Sequence, residues 1–175
     1  MSMLKRTPFL TAALTALLLL VPACTGSSDS GTTSIGTGGG GGGQMSVQEL
    51  AWAMQVFDLT NVERVNAGVA PLTWHDPTSQ VAYDHSVDMD LRAFFDHQNP
   101  DGQMPWDRLS LAGITWSAAG ENIARGQPDP VSVMIAWMNS AGHRANILSA
   151  SFTRLGVGVH NASGGPWWTQ VFYDP

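Results

Sequence analysis

Leu155-Gly156-Val157-Gly158-Val159-His160 alternates apolar side chains with glycine, and Trp167-Trp168-Thr169-Gln170-Val171-Phe172-Tyr173 is aromatic and β-prone. A period of two marks a strand, and the turn-rich Asn161–Pro166 between the runs makes them a hairpin. A third strand is expected through Trp116–Ala124, apolar around Glu121 and Asn122. Upstream the pattern is helical. Helices first and a hairpin last give an α+β class with a mostly antiparallel sheet.

Ser46-Val47-Gln48-Glu49 is a capping box that starts the first helix. Its apolar positions Val47, Leu50, Ala51, Met54, Phe57 and Val65 follow helical spacing, and Gly68 ends it. Asp76-Pro77 opens a second helix, with Asp76 as cap and an inward face of Val81, Ala82, His85 and Met89. Pro105 starts a short helical piece that Gly113 stops. Asp129-Pro130 repeats the cap-plus-proline start, followed by an apolar stripe of Val131, Met134, Ile135 and Met138. No internal repeat is visible.

The chain has 175 residues and a formal charge of −6. Lys5 and Arg6 lie in the leader, so the remainder sets six arginines against fourteen acids, a charge of −8. Those arginines are scattered singly. Without a basic stripe, nucleic acid is not an expected partner. The one cysteine, Cys24, lies outside the domain, which excludes disulfides within the chain, zinc–thiolate sites and cysteine-nucleophile catalysis.

Residues 1–23 read as an export signal: Lys5 and Arg6, then the apolar Phe9–Val21, too short to span a bilayer that takes about 20 residues. Val21-Pro22-Ala23-Cys24 resembles the lipobox of bacterial lipoproteins, although Pro22 is unusual in it. That resemblance implies cleavage before Cys24 and its lipidation, hence a membrane partner and a cell-envelope location, in the periplasm or on the cell surface. The competing reading is an ordinary secretory leader that leaves an idle thiol. Residues 24–45 form a Gly/Ser-rich linker with the run Gly38–Gly43. Such a coil has ends roughly 25 Å apart, holding the domain of residues 46–175 near a lipid surface but clear of it.

No His-Glu-x-x-His, Gly-x-Ser-x-Gly or phosphate-cradling loop is present. Glu121 is the most informative residue. It sits in Ala118-Ala119-Gly120-Glu121-Asn122-Ile123-Ala124, where a carboxylate must be hydrogen-bonded, paired, metal-bound or protonated. A structural carboxylate paired with an arginine satisfies that equally. His97 opens a loop after Phe94-Phe95-Asp96, and His143 follows a helix end. Each is open to a capping role. His85 reads as a core histidine, His75 as a loop residue, and His160 as a strand end open to solvent. Most of the seven tryptophans read as core, while Trp167 and Trp168 face opposite sides of a strand, so one can border a groove.

Together these residues resemble a known family. Asn61-x-x-Arg64, Pro71-Leu72-x-Trp74, Phe95-Asp96-His97, Gly120-Glu121-Asn122-Ile123-Ala124, Trp137-Met138-Asn139-Ser140-x-Gly142-His143-Arg144-x-Asn146-Ile147-Leu148, Gly156-Val157-Gly158 and Trp168-Thr169-Gln170-x-Phe172 are similar, in order, to the motifs of CAP (SCP-like extracellular) domains of bacterial type. The resemblance implies an α-β-α sandwich, with a small antiparallel sheet between helical layers and a polar groove. In many eukaryotic members two histidines and two glutamates line that groove and can hold a divalent metal. His97 and Glu121 match one of each. The second glutamate's position falls near Asn139 or Ser140, and Trp167 stands where the second histidine belongs. His143 is the substitute, so the metal set implied is His97, Glu121 and His143, with Zn²⁺ as an example.

Two functions follow as expectations. The first is a membrane-tethered module whose groove binds an extracellular ligand, with a divalent metal assisting. The alternative is a metal-assisted hydrolase acting on envelope peptides or polymers, with Glu121 as base. A third reading makes the polar cluster a buried network that fixes the fold.

Overall fold

The computed structural model describes residues 43–175. The segments expected to be a signal peptide (residues 1–23) and, from Cys24 to residue 42, a lipidated linker lie outside the described residues.

Helix α1 (Val47–Asn66) starts at the expected cap: Glu49 N–H donates to Ser46 Oγ, and Ser46 N–H to Glu49 Oε2. After it come β1 (Thr73–Trp74), α2 (Asp76–Leu91), α3 (Pro105–Leu111), β2 (Ala118–Arg125), α4 (Pro130–Asn139), α5 (Ala141–Ile147), β3 (Arg154–Ala162) and β4 (Gly165–Asp174). His75, not Asp76, caps α2; Asp76 lies in the first turn and accepts the Trp74 indole N–H. The fold class is α+β, with sheet order β1-β3-β4-β2. The hairpin β3–β4 and the pair β2–β4 are antiparallel. The sheet is nevertheless mixed, because the two-residue β1 adds in parallel to β3. So short a strand carries no periodicity to read in sequence.

Helices cover both faces of the sheet. Ala53, Val56, Met134, Trp137 and Ile147 pack with Leu155, Val157, Trp168 and Phe172 on one face, the layer of α1, α4 and α5. Val81, Ala82 and Leu109 pack with Val171 and Tyr173 on the other, beneath α2 and α3. The glycines of β3 explain the closeness of that second layer. A Cβ on Gly158 would lie 2.0 Å from Tyr83 N, and one on Gly156 would lie 2.3 Å from Ser79 N, so α2 lies directly on the sheet backbone. Ser79 Oγ then donates to Val157 O at 2.6 Å, and Ser86 Oγ bonds Thr169 Oγ1 at 2.8 Å.

The inward face of α2 is as expected, with Val81, Ala82, His85 and Met89 all buried. The apolar stripe of α1 turns largely outward instead, and that of α4 is divided. On α1 the buried side is Glu49, Ala53, Val56, Thr60 and Arg64, while Val47, Leu50, Met54 and Val65 are exposed. On α4 the expected Met134 is buried, together with Val133 and Trp137, and Met138 packs against the core, whereas Val131 and Ile135 are exposed. Polar residues can face inward on α1 because each is saturated. Arg64 donates to the carbonyls of Ala70, Ile147 and Ser149 at 2.7–2.8 Å, and Thr60 Oγ1 accepts from Gln170 Nε2 at 2.8 Å.

Candidate functional site

β2 is an edge strand whose side chains alternate between layers. Asn122 points toward α5, where its Nδ2 donates to His143 O and to Gln170 Oε1, both at 3.1 Å. Asn146 Nδ2 donates in turn to Glu121 O and Asn122 Oδ1, locking α5 onto the strand. Glu121 points the other way, and its side chain is 1% exposed.

Both oxygens of that carboxylate are engaged. Oε2 accepts from Arg108 Nη2 at 2.6 Å, and Oε1 from His97 Nδ1 at 2.8 Å. Arg108, on α3, also donates Nη1 to the carbonyls of His97 and Gln103, each at 2.9 Å, which pins the loop carrying His97. His85 Nε2 stands 3.8 Å from Glu121 Oε1 and bonds Asp96 O at 3.1 Å. The core reading of His85 holds, yet it joins the same cluster.

These contacts assign protons. A carboxylate only accepts, so Nδ1 of His97 carries the hydrogen and Nε2 is the free edge. His97 is 42% exposed at its side chain. Its pKa is raised above the ordinary histidine value, chiefly by the Glu121 hydrogen bond and against the effect of burial. Burial lowers the pKa of His85, against the pull of Glu121. Burial, then the charge of His97, lowers that of His143.

His97 and His143 line one open cavity of about 560 Å³, together with Ser140, Arg125, Gln127 and the apolar Ile123, Ala136 and Trp137. Glu121 lies behind His97 and not among the lining residues. The three expected ligands therefore form a stack of carboxylate and imidazole facing a second imidazole. A divalent ion at Glu121 would meet the Arg108 guanidinium already bound there, so His97, Glu121 and His143 do not fit a three-ligand metal site. Among the described residues, no group of three or more His, Cys, Asp or Glu side chains is placed to hold a metal ion.

Trp167, at the position of a second histidine, is buried beneath the Arg125 guanidinium, 4.1 Å from its carbon. Trp168 is buried on the other face and stacks on Trp52. His160 is not open to solvent as expected; it is half-buried between Asp90 Oδ2 at 3.2 Å and Glu49 Oε1 at 3.7 Å. Sequence reasoning missed Arg108. An arginine partner for Glu121 was among the expected alternatives, but nothing in the spacing singles out one of the six arginines of the domain.

The small sheet between helical layers and the His97–Glu121 pair beside the edge-strand groove are what the resemblance to SCP-like domains implies. Residues 57–172 match the CAP family, the cysteine-rich secretory protein family, and the chain belongs to it. It is 45% identical over 122 residues to "Uncharacterized protein YkwD" of Bacillus subtilis (strain 168), covering 70% of this chain and 47% of that protein. It is 43% identical over 118 residues to "Uncharacterized membrane protein YlbC" of the same organism, covering 67% of this chain and 33% of that one. The chain thus spans less than half the length of these two relatives. Among solved structures, an extracellular protein containing a SCP domain from Bacillus anthracis str. Ames superposes with a TM-score of 0.69 at 36% identity, covering 76% of this chain and 45% of that one.

Proposed function

We propose that this protein is an exported, envelope-anchored binding module whose His97–His143 groove takes a carboxylate-bearing extracellular ligand, such as a peptide end or an acidic envelope polymer. One observation carries this reading. Glu121 and Arg108 are buried together behind His97, and a buried ion pair contributes little net stability against an apolar replacement. What the pair does here is hold one imidazole with its free edge toward the cavity. Arg125 and His143 add donors that outnumber the one acid of the lining, Asp96, and Ile123, Ala136 and Trp137 offer apolar contact. A Zn²⁺ ion in the groove would meet the imidazoles of His97 and His143, with Asp96 also in the lining and Glu121 as an outer partner.

The test uses peptides with a free C-terminal carboxylate and their amidated counterparts, titrated calorimetrically. Amidation and His97→Ala should each weaken binding about tenfold or more. Equal affinity for both peptide forms, unchanged in His97→Ala and His143→Ala, would refute the assignment.

Hydrolysis is the second reading, supported by the same dyad. Glu121 is not free to be a base, so that role falls to His97 Nε2, with Glu121 orienting the ring. Peptide turnover abolished in His97→Ala would support it. Export is in keeping with the extracellular SCP-domain relative. Anchoring rests on the resemblance of Val21-Pro22-Ala23-Cys24 to a lipobox. Cys24→Ser should release the protein from the membrane fraction; retention there would rule out lipidation as the tether.

A further inference from the structure

A second cavity, of about 610 Å³, opens between α2, α3 and the loop that joins them, and it shares no lining residue with the His97–His143 groove. Its size is that of a small-molecule site. Leu91 and Leu111 line it at 75% and 71% exposure, so apolar surface already faces whatever enters.

Charge narrows the occupant. Asp84, Asp88 and Asp101 line the cavity, against Arg92 and Arg108. Arg108 is matched by Glu121, and Arg92 is shared, pairing with Asp88 and, at 2.8 Å, with Asp101. Asp84 makes no ion pair among the described residues; it accepts from Gln80 Nε2 at 2.8 Å, and burial raises its pKa against that bond. Three carboxylates therefore face one available cation, an excess that a positively charged ligand neutralises.

The inner wall adds a second requirement. His85 and Arg108 are buried, yet His85 Nδ1 and Arg108 Nε have no hydrogen-bond partner. His85 Nε2 donates to Asp96 O, so its Nδ1 is a bare acceptor, whereas Arg108 Nε–H is a donor. Buried polar atoms are normally paired, so an unmatched acceptor and an unmatched donor in one wall ask for a ligand that supplies both complements. A peptide group does so, with one N–H and one C=O.

We propose that the α2–α3 cavity binds the amino terminus of a peptide whose first residue is apolar. The α-ammonium meets Asp84, the first side chain lies between Leu91 and Leu111, and the first peptide group faces the wall of His85 and Arg108. A chain terminus carries all three features within one residue, whereas a lysine holds its ammonium on a four-carbon stem away from its peptide group.

The test titrates the amide of Leu-Ala-Ala, and its N-acetylated form, into the full chain by calorimetry at pH 6.5, where an α-amino group with a pKa of about 8 is charged. Both probes lack a carboxylate, so the outcome does not depend on the carboxylate reading of the groove. The free-amine form should bind, and acetylation should weaken it tenfold or more. In Asp84→Asn, a change at an exposed position, the two forms should differ by less than threefold. Methyl spectra of the free-amine complex should shift at Leu91 and Leu111. Absence of heat, equal affinity of the two forms for the unaltered chain, or a tenfold difference that persists in Asp84→Asn would overturn the proposal. So would shifts confined to the His97–His143 groove.

Discussion

Arg108→Met is the perturbation that tests the centre of the site. The guanidinium is 9% exposed at its side chain and the Glu121 carboxylate 1%, so water cannot replace what the substitution removes. A charge is lost 2.6 Å from a buried carboxylate, and two carbonyls, of His97 and Gln103, each lose a donor. Breaking one side of a buried pair costs about 3–5 kcal/mol. For a domain of this size ~4 kcal/mol lowers Tm by roughly 12–16 °C. Glu121→Gln leaves the guanidinium unpaired and should cost about 3 kcal/mol by the same argument. The double variant then leaves no unpaired charge, and its cost should fall short of the sum of the singles by about 2 kcal/mol or more. Urea unfolding followed by near-ultraviolet circular dichroism measures all three. Single costs below about 1 kcal/mol, or strict additivity, would refute the reasoning that the pair is desolvated and coupled.

Stability should depend on pH through three histidines with opposite signs. The raised pKa of His97 means its contribution is complete below the unfolded value near 6.5 and is lost as pH rises through the folded value; His97→Ala should flatten that alkaline-side decline in urea midpoints. The lowered pKa values of His85 and His143 act the other way, so stability should also fall as pH drops below about 6.5, and His85→Phe should weaken that acid-side decline. Gly158→Ala, which puts a Cβ 2.0 Å from Tyr83 N, should cost roughly 3 kcal/mol, and a loss under about 1 kcal/mol by urea unfolding would show that α2 can lift off the sheet. Zn²⁺ titrated into dialysed protein should give no stoichiometric heat that Glu121→Gln abolishes; such a loss would return Glu121 to the ligand set.

The chain's local chemistry is enough to bound its helices. The Ser46 box, Pro77, Pro105 and the Asp129-Pro130 pair act through bonds within one turn, and Gly68 and Gly113 stop their helices in conformations with positive φ. The alternation in β3 likewise determines a strand with one crowded face, and the order of elements determines the α+β class. The family motifs also single out His97, Glu121 and His143 before any contact is known.

Tertiary structure alone decided which faces are buried and what each site residue touches. Amphipathic spacing misdirected α1, because Glu49, Thr60 and Arg64 find their partners on other elements and can therefore lie inside. Glu121 is paired instead of free because α3 delivers Arg108 to it, and His85 came within 3.8 Å from a third element. Spacing along one helix or strand specifies a local conformation. A buried charge is settled only by neighbours distant in the chain, whose approach depends on how the layers pack.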